Sequence, residues 1–129
     1  FWCSYSFYAV KANTNGVIIK IYSTPAVARH SEGVLYAIAK AANIAVTKCI
    51  VLEYSDKNIR AYTLALDNIA TLAKYYSMNE NDRNKAAEEP SMEDGQAEEV
   101  AKVDACIASD NFSFATGNTI VIDGGTVLL

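Results

Sequence analysis

Basic clusters, paired cysteines, glycine-rich loops and long apolar runs are all missing from this 129-residue chain, and each absence removes a class of function. Eleven Lys and Arg against fifteen Asp and Glu leave a net charge of −4, with no basic stripe to follow a phosphate backbone, so nucleic-acid binding is not expected. Cys3, Cys49 and Cys106 are odd in number and widely scattered. They fit neither a disulfide framework nor a zinc-ligand spacing, so no metal site is expected, and reduced thiols in a cytoplasmic protein are the plain reading. The single histidine, His30, lies in a polar stretch and reads as a solvated residue. No apolar run reaches the roughly 20 residues that a membrane helix requires, so no membrane association is expected. The first ten residues lack the basic start and small-residue cleavage site of a signal peptide. Phe1 in place of a methionine reads as the start of a processed, trimmed or truncated chain. None of the six glycines forms the loop that receives a dinucleotide pyrophosphate.

What is present suits one α/β domain, long enough to bury roughly two-thirds of its unfolded surface. Residues 17–22, β-branched and apolar almost throughout, read as a strand buried on both faces of a parallel sheet. Residues 35–54 read as a long helix whose apolar and small side chains cover more than half its circumference. Such a helix is expected to be buried on two sides, one against the sheet and the other against a second helix, with Ala37, Ala41 and Ala45 permitting close approach. Asn58 ends that region, residues 59–66 read as a second strand, and residues 71–76 look helical. Residues 79–99 carry eight acidic side chains against Arg83 and Lys85 and read as an exposed lobe. A helix over 98–107, with Glu98 and Glu99 in its favourable first turn, precedes a last strand at 119–123 and a Gly124-Gly125 turn. The alternation predicts a parallel sheet with right-handed crossovers, three visible strands and flanking helices. The first strand would leave an open apolar edge, so the chain is expected to pair with a second copy or a companion chain.

Tyr36 and Lys40 lie four apart, which places them on one helix face, one turn removed. A tyrosine is ordinarily a poor proton donor or base near neutrality, and an adjacent ammonium favours its phenolate. Ser23, at the end of the first strand, supplies a hydroxyl at the sheet edge where open α/β folds place ligands. A tuned phenol beside a hydroxyl donor suits carbonyl reduction or alcohol oxidation, with a cofactor carrying the hydride.

The stretches 16–23, Tyr36-Ala-Ile-Ala-Lys40, 52–54, 58–60, 98–101, 107–110, 114–117 and Ile122-Asp-Gly-Gly125 occur in an order, and with a serine-to-tyrosine spacing, that resembles the C-terminal half of the short-chain dehydrogenase/reductase family. The resemblance covers nearly all of residues 1–129 and implies a partial Rossmann-like, doubly wound parallel sheet and an NAD(P)-dependent oxidoreductase that interconverts a carbonyl and a secondary alcohol. It implies that Ser23 polarises the substrate carbonyl, Tyr36 is the general acid or base, and Lys40 supports Tyr36 and holds the nicotinamide ribose. Ile69 and Thr71 become candidate contacts to NAD or NADP, and residues 71–97 become a substrate lid. The alternative is a catalytically incomplete fragment or scaffold of the same family that lacks the dinucleotide-binding half. Departures from the family pattern include Leu66-Asp67 where Pro-Gly is usual, Tyr62 where an asparagine is common, and Trp2 or Cys3 near a relay asparagine.

Overall fold

Segments rich in β-branched and apolar side chains form three strands of one parallel sheet. The computed structural model describes residues 15–27, 33–70, 76, 78–81 and 95–128. Strand β1 (Gly16–Ser23) leads through a short 3-10 turn towards helix α1 (Val34–Tyr54). The central strand β2 (Ile59–Leu66) follows, then the two-residue strands β3 (Ile69–Ala70) and β4 (Gly95–Gln96), helix α2 (Ala97–Ala108) and strand β5 (Thr119–Ile122). The sheet order is β1-β2-β5, parallel throughout. Register pairs Ser23 with Leu66 and Leu66 with Ile122, so these three residues form one row across the sheet's carboxyl edge.

Period-two alternation assigns the faces of β2. Tyr62 and Leu64 point towards α2 and join Val100 and Ile107 in the core, with Val17, Ile19 and Ile120 packed around them. Thr63 points the other way, and its hydroxyl shares a buried 2.8 Å hydrogen bond with that of Thr47 on α1. The strand buried on both faces is therefore β2, flanked by a neighbour on each side. β1, expected to be buried on both faces, is an edge strand of intermediate burial with Ile21 exposed.

The expectation of a helix buried on two sides is also corrected. Thr47 is the only buried residue of α1 among those described, and Leu35 and Leu52 are each 83% exposed. By length and composition this 21-residue helix could cross a membrane. Lys40 and Lys48 interrupt it, however, and Thr47 pins it to the sheet. The far face of α1 has no partner among the described residues.

Helix α2 is fixed at both ends. The Glu99 carboxylate accepts the Gln96 N–H at 2.8 Å, and Glu98 and Glu99 occupy the first turn as expected. At the other end Arg60 reaches across from β2 and donates to the carbonyls of Ile107 (3.0 Å), Ser109 (3.2 Å) and Phe112 (2.9 Å). A guanidinium suits this place because the carbonyls that end a helix lack intrahelical donors. Tyr62, the departure from the asparagine pattern, is fully buried; its hydroxyl donates to the carbonyls of Phe112 and Ala115. Gly117, at φ +75°, turns the chain into β5 while its N–H donates to Ala61 at 2.8 Å. The β3–β4 ladder was not foreseen, since two-residue strands carry no periodic signal. The aromatic N-terminal stretch, His30, Thr71 and most of the acidic lobe lie outside the described residues.

Candidate functional site

Gly33, at φ +86°, turns the chain into α1, and its carbonyl accepts the N–H of Ala37. Tyr36 stands in the first turn of that helix, 48% exposed, and Lys40 follows one turn later, half-buried. The Lys40 ammonium lies 5.1 Å from the centre of the Tyr36 ring, so phenol and cation share one side of the helix as the four-residue spacing predicts. The same ammonium lies 5.3 Å from the centre of the Tyr22 ring, at the end of β1. Burial pushes the Tyr22 phenol above its ordinary range, so this ring stays neutral.

Ser23 follows Tyr22 in extended backbone, and its side chain does not cap the 3-10 turn that begins at Thr24. Its hydroxyl therefore remains available at the carboxyl edge of the sheet, where the ends of parallel strands collect ligands. Ile69 lies elsewhere on that edge. It lines a cavity of about 260 Å³ with Asn68, Gln96, Glu99, Asp123 and Gly124, at the carboxyl ends of β2 and β5. Tyr36, Lys40 and Ser23 do not line it. The structure thus brings Tyr36 and Lys40 together, sets Ser23 on the same edge, and leaves Ile69 in a separate hollow; Thr71 lies outside the described residues. Among the described residues no cluster of His, Cys, Asp or Glu could hold a metal ion.

The turn after β5 is held by carboxylates. Asp123 accepts the N–H of Val127 at 2.8 Å and that of Gly125 at 2.9 Å, and these backbone bonds hold its carboxyl below the usual range despite some desolvation. Asp67, at the place where Pro-Gly was expected, accepts the Thr126 hydroxyl at 2.5 Å and donates its own N–H to Ile122. That N–H and that carboxylate tie the end of β2 to the turn after β5, a role that neither proline nor glycine can duplicate in full. Tyr22 was missed as a site residue because it reads as one more member of an apolar strand. Strand alternation from Thr63 and Lys20 would have placed it on the α1 face, but only once the register was known.

Residues 2–127 match the family profile described as enoyl-(acyl carrier protein) reductase. The chain is 32% identical over 120 residues to glucose 1-dehydrogenase 2 of Bacillus subtilis, covering 92% of this chain and 46% of that protein. It is 34% identical over 116 residues to 7alpha-hydroxysteroid dehydrogenase of Bacteroides fragilis, covering 88% and 44%. Among solved structures, a 4-hydroxyisoleucine dehydrogenase mutant complexed with NADH and succinate superposes with a TM-score of 0.79 at 25% identity, covering 96% of this chain and 52% of that one. The chain spans about half the length of the curated relatives it matches.

Proposed function

The chain belongs to the short-chain dehydrogenase/reductase family, and on that premise we propose that it forms the catalytic half of an NAD(P)-dependent oxidoreductase that interconverts a carbonyl and a secondary alcohol. The observation that carries this reading is the Lys40 ammonium held against the Tyr36 ring at the carboxyl side of a parallel sheet. Two of the relatives, named as a glucose 1-dehydrogenase and a 7alpha-hydroxysteroid dehydrogenase, support the reaction class.

In the reducing direction Ser23 donates its hydroxyl hydrogen to the substrate carbonyl oxygen and polarises the bond. Tyr36 delivers its phenolic proton to that oxygen as charge builds there, and the Lys40 cation stabilises the phenolate left behind. In oxidation the phenolate takes the proton back. A bound nicotinamide supplies or accepts the hydride. Lys40 suits that group, offering an ammonium to ribose hydroxyls, whereas Ile69 lines a separate cavity on the sheet edge. NAD and NADP remain equal candidates, because the residues that separate them belong to a glycine-rich half absent from these 129 residues. Residues 71–97 serve as the lid over the substrate. A cytoplasmic location goes with this reading, since Cys49 and Cys106 are free surface thiols.

Replacing Tyr36 with Phe removes the transferable proton and little else. Turnover of a carbonyl substrate with NADH or NADPH should fall by at least about a hundredfold, the usual contribution of general acid–base catalysis, with the circular dichroism spectrum unchanged. Equal rates in the parent and the variant would remove the mechanism. A second reading is a non-catalytic scaffold of the same family. Nicotinamide fluorescence separates the two: an enhancement on mixing the protein with NADH or NADPH supports the enzyme, and none at high protein concentration supports the scaffold.

A further inference from the structure

Resting on the oxidoreductase reading above, we infer that Tyr22 is a positioning residue of this site, whose ring forms with that of Tyr36 a two-walled aromatic slot holding the Lys40 ammonium beside the catalytic phenol. Three observations carry it. The register sets Lys20 opposite Thr63, and Thr63 bonds Thr47 on α1, so alternate residues of β1, Tyr22 included, face that helix. The ammonium lies 5.3 Å from one ring centre and 5.1 Å from the other, both within the roughly 6 Å over which a ring face attracts a cation. Among the described residues Lys40 forms no ion pair, and the two rings are the groups that face its ammonium.

The two walls differ. Tyr36 is 48% exposed at the start of a helix, whereas Tyr22 is better covered and anchored in a strand bonded along its whole length to β2. Burial raises the Tyr22 phenol above its ordinary range and makes it a weaker acid, and it is the ring face that meets the ammonium. Without it, the four-carbon stem of Lys40 is free to swing the ammonium into water, which solvates it strongly. The cation would then spend less time where it steadies the Tyr36 phenolate, and the substrate-binding groups would be untouched.

The test compares the parent chain with Tyr22→Leu and Tyr22→Phe. Nuclear Overhauser contacts between the Lys40 ε-methylene and the Tyr36 ring report the slot directly and need no turnover. The inference expects those contacts to weaken at least about twofold in Tyr22→Leu and to persist in Tyr22→Phe, which keeps the ring. It also expects kcat in Tyr22→Leu to fall about two- to fivefold with the carbonyl KM unchanged, and Tyr22→Phe to restore the rate. Unchanged Lys40–Tyr36 contacts in Tyr22→Leu, or their loss in Tyr22→Phe, overturn it, as does a change confined to KM. Should the leucine variant fail to fold, Tyr22→Met fills the volume without a ring and is read by the same criteria. A parent chain that binds nicotinamide but never turns over defeats the proposed function, while the Overhauser contacts still decide whether Tyr22 sets the place of Lys40.

Discussion

Asp123 and Asp104 show how two like side chains acquire opposite consequences. Asp123 accepts backbone N–H bonds from Val127 and Gly125, so its carboxyl is held below the ordinary range in the folded chain. A group whose folded value lies below its unfolded one contributes stability above the unfolded value and loses it as pH falls through the folded one. The turn after β5 should therefore loosen in acid, and Asp123→Asn should remove much of that dependence. Hydrogen exchange at the Val127 amide, followed downward from neutral pH in both proteins, checks this. Asp104 lies on α2 with one buried oxygen that has no partner among the described residues, and burial pushes its carboxyl up. Here the folded state binds the proton more tightly, so the group costs stability as pH rises past the ordinary carboxylate range of about 4. Asp104→Asn should raise the melting temperature at pH 7 and change it little near pH 3. Because the side chain is partly solvated, the gain should stay below about 1 kcal/mol. Identical shifts at both pH values would show that charge is not the cause.

At the scale of elements, the joint between α1 and the sheet depends on an unusual contact for a core. Thr47 and Thr63 meet across it with a 2.8 Å bond between buried hydroxyls. Replacing Thr47 with Val strands the hydroxyl of Thr63 and should cost about 1–3 kcal/mol in chemical denaturation. Replacing both with Val leaves no polar orphan and should recover most of the loss, so the double variant should be more stable than the sum of the singles predicts. Strict additivity would show that the bond carries no coupling. On the opposite face of the sheet, Arg60 gathers the carbonyls that end α2. Tyr62 adds its own hydroxyl to that cluster and packs edge-on against Phe112, with ring centres 6.3 Å apart.

For the whole molecule, surface left open is the dominant feature. β1 pairs along its full length with β2, and its other edge has no partner among the described residues. Val34, Leu35, Ile38 and Leu52 stand more than half exposed on α1. Covering an apolar face and an open strand edge favours association, so we propose that the chain works paired with a second copy or with a companion supplying the nucleotide half. Light scattering at micromolar concentration should give a mass above that of one 14.0 kDa chain. A sharp monomer peak with cooperative melting would count against this.

Most of the fold could be read from local pattern. The runs at 17–22, 59–66 and 119–123 are strands within about a residue of where periodicity put them, and the two helices begin within one residue of their expected starts. The four-residue spacing determined that Tyr36 and Lys40 would share a helix face, because helical geometry is fixed by the backbone alone. Sequence order did not reveal which strand would be central. Both β1 and β2 are largely apolar, and pairing made β2 the buried one and left β1 at an edge among the described residues. Nor could spacing disclose Tyr22 beside Lys40, Asp67 bonded to Thr126, or Arg60 closing α2. Each of these joins residues at least 18 positions apart, and such meetings are set by register and packing, which no local window of sequence contains.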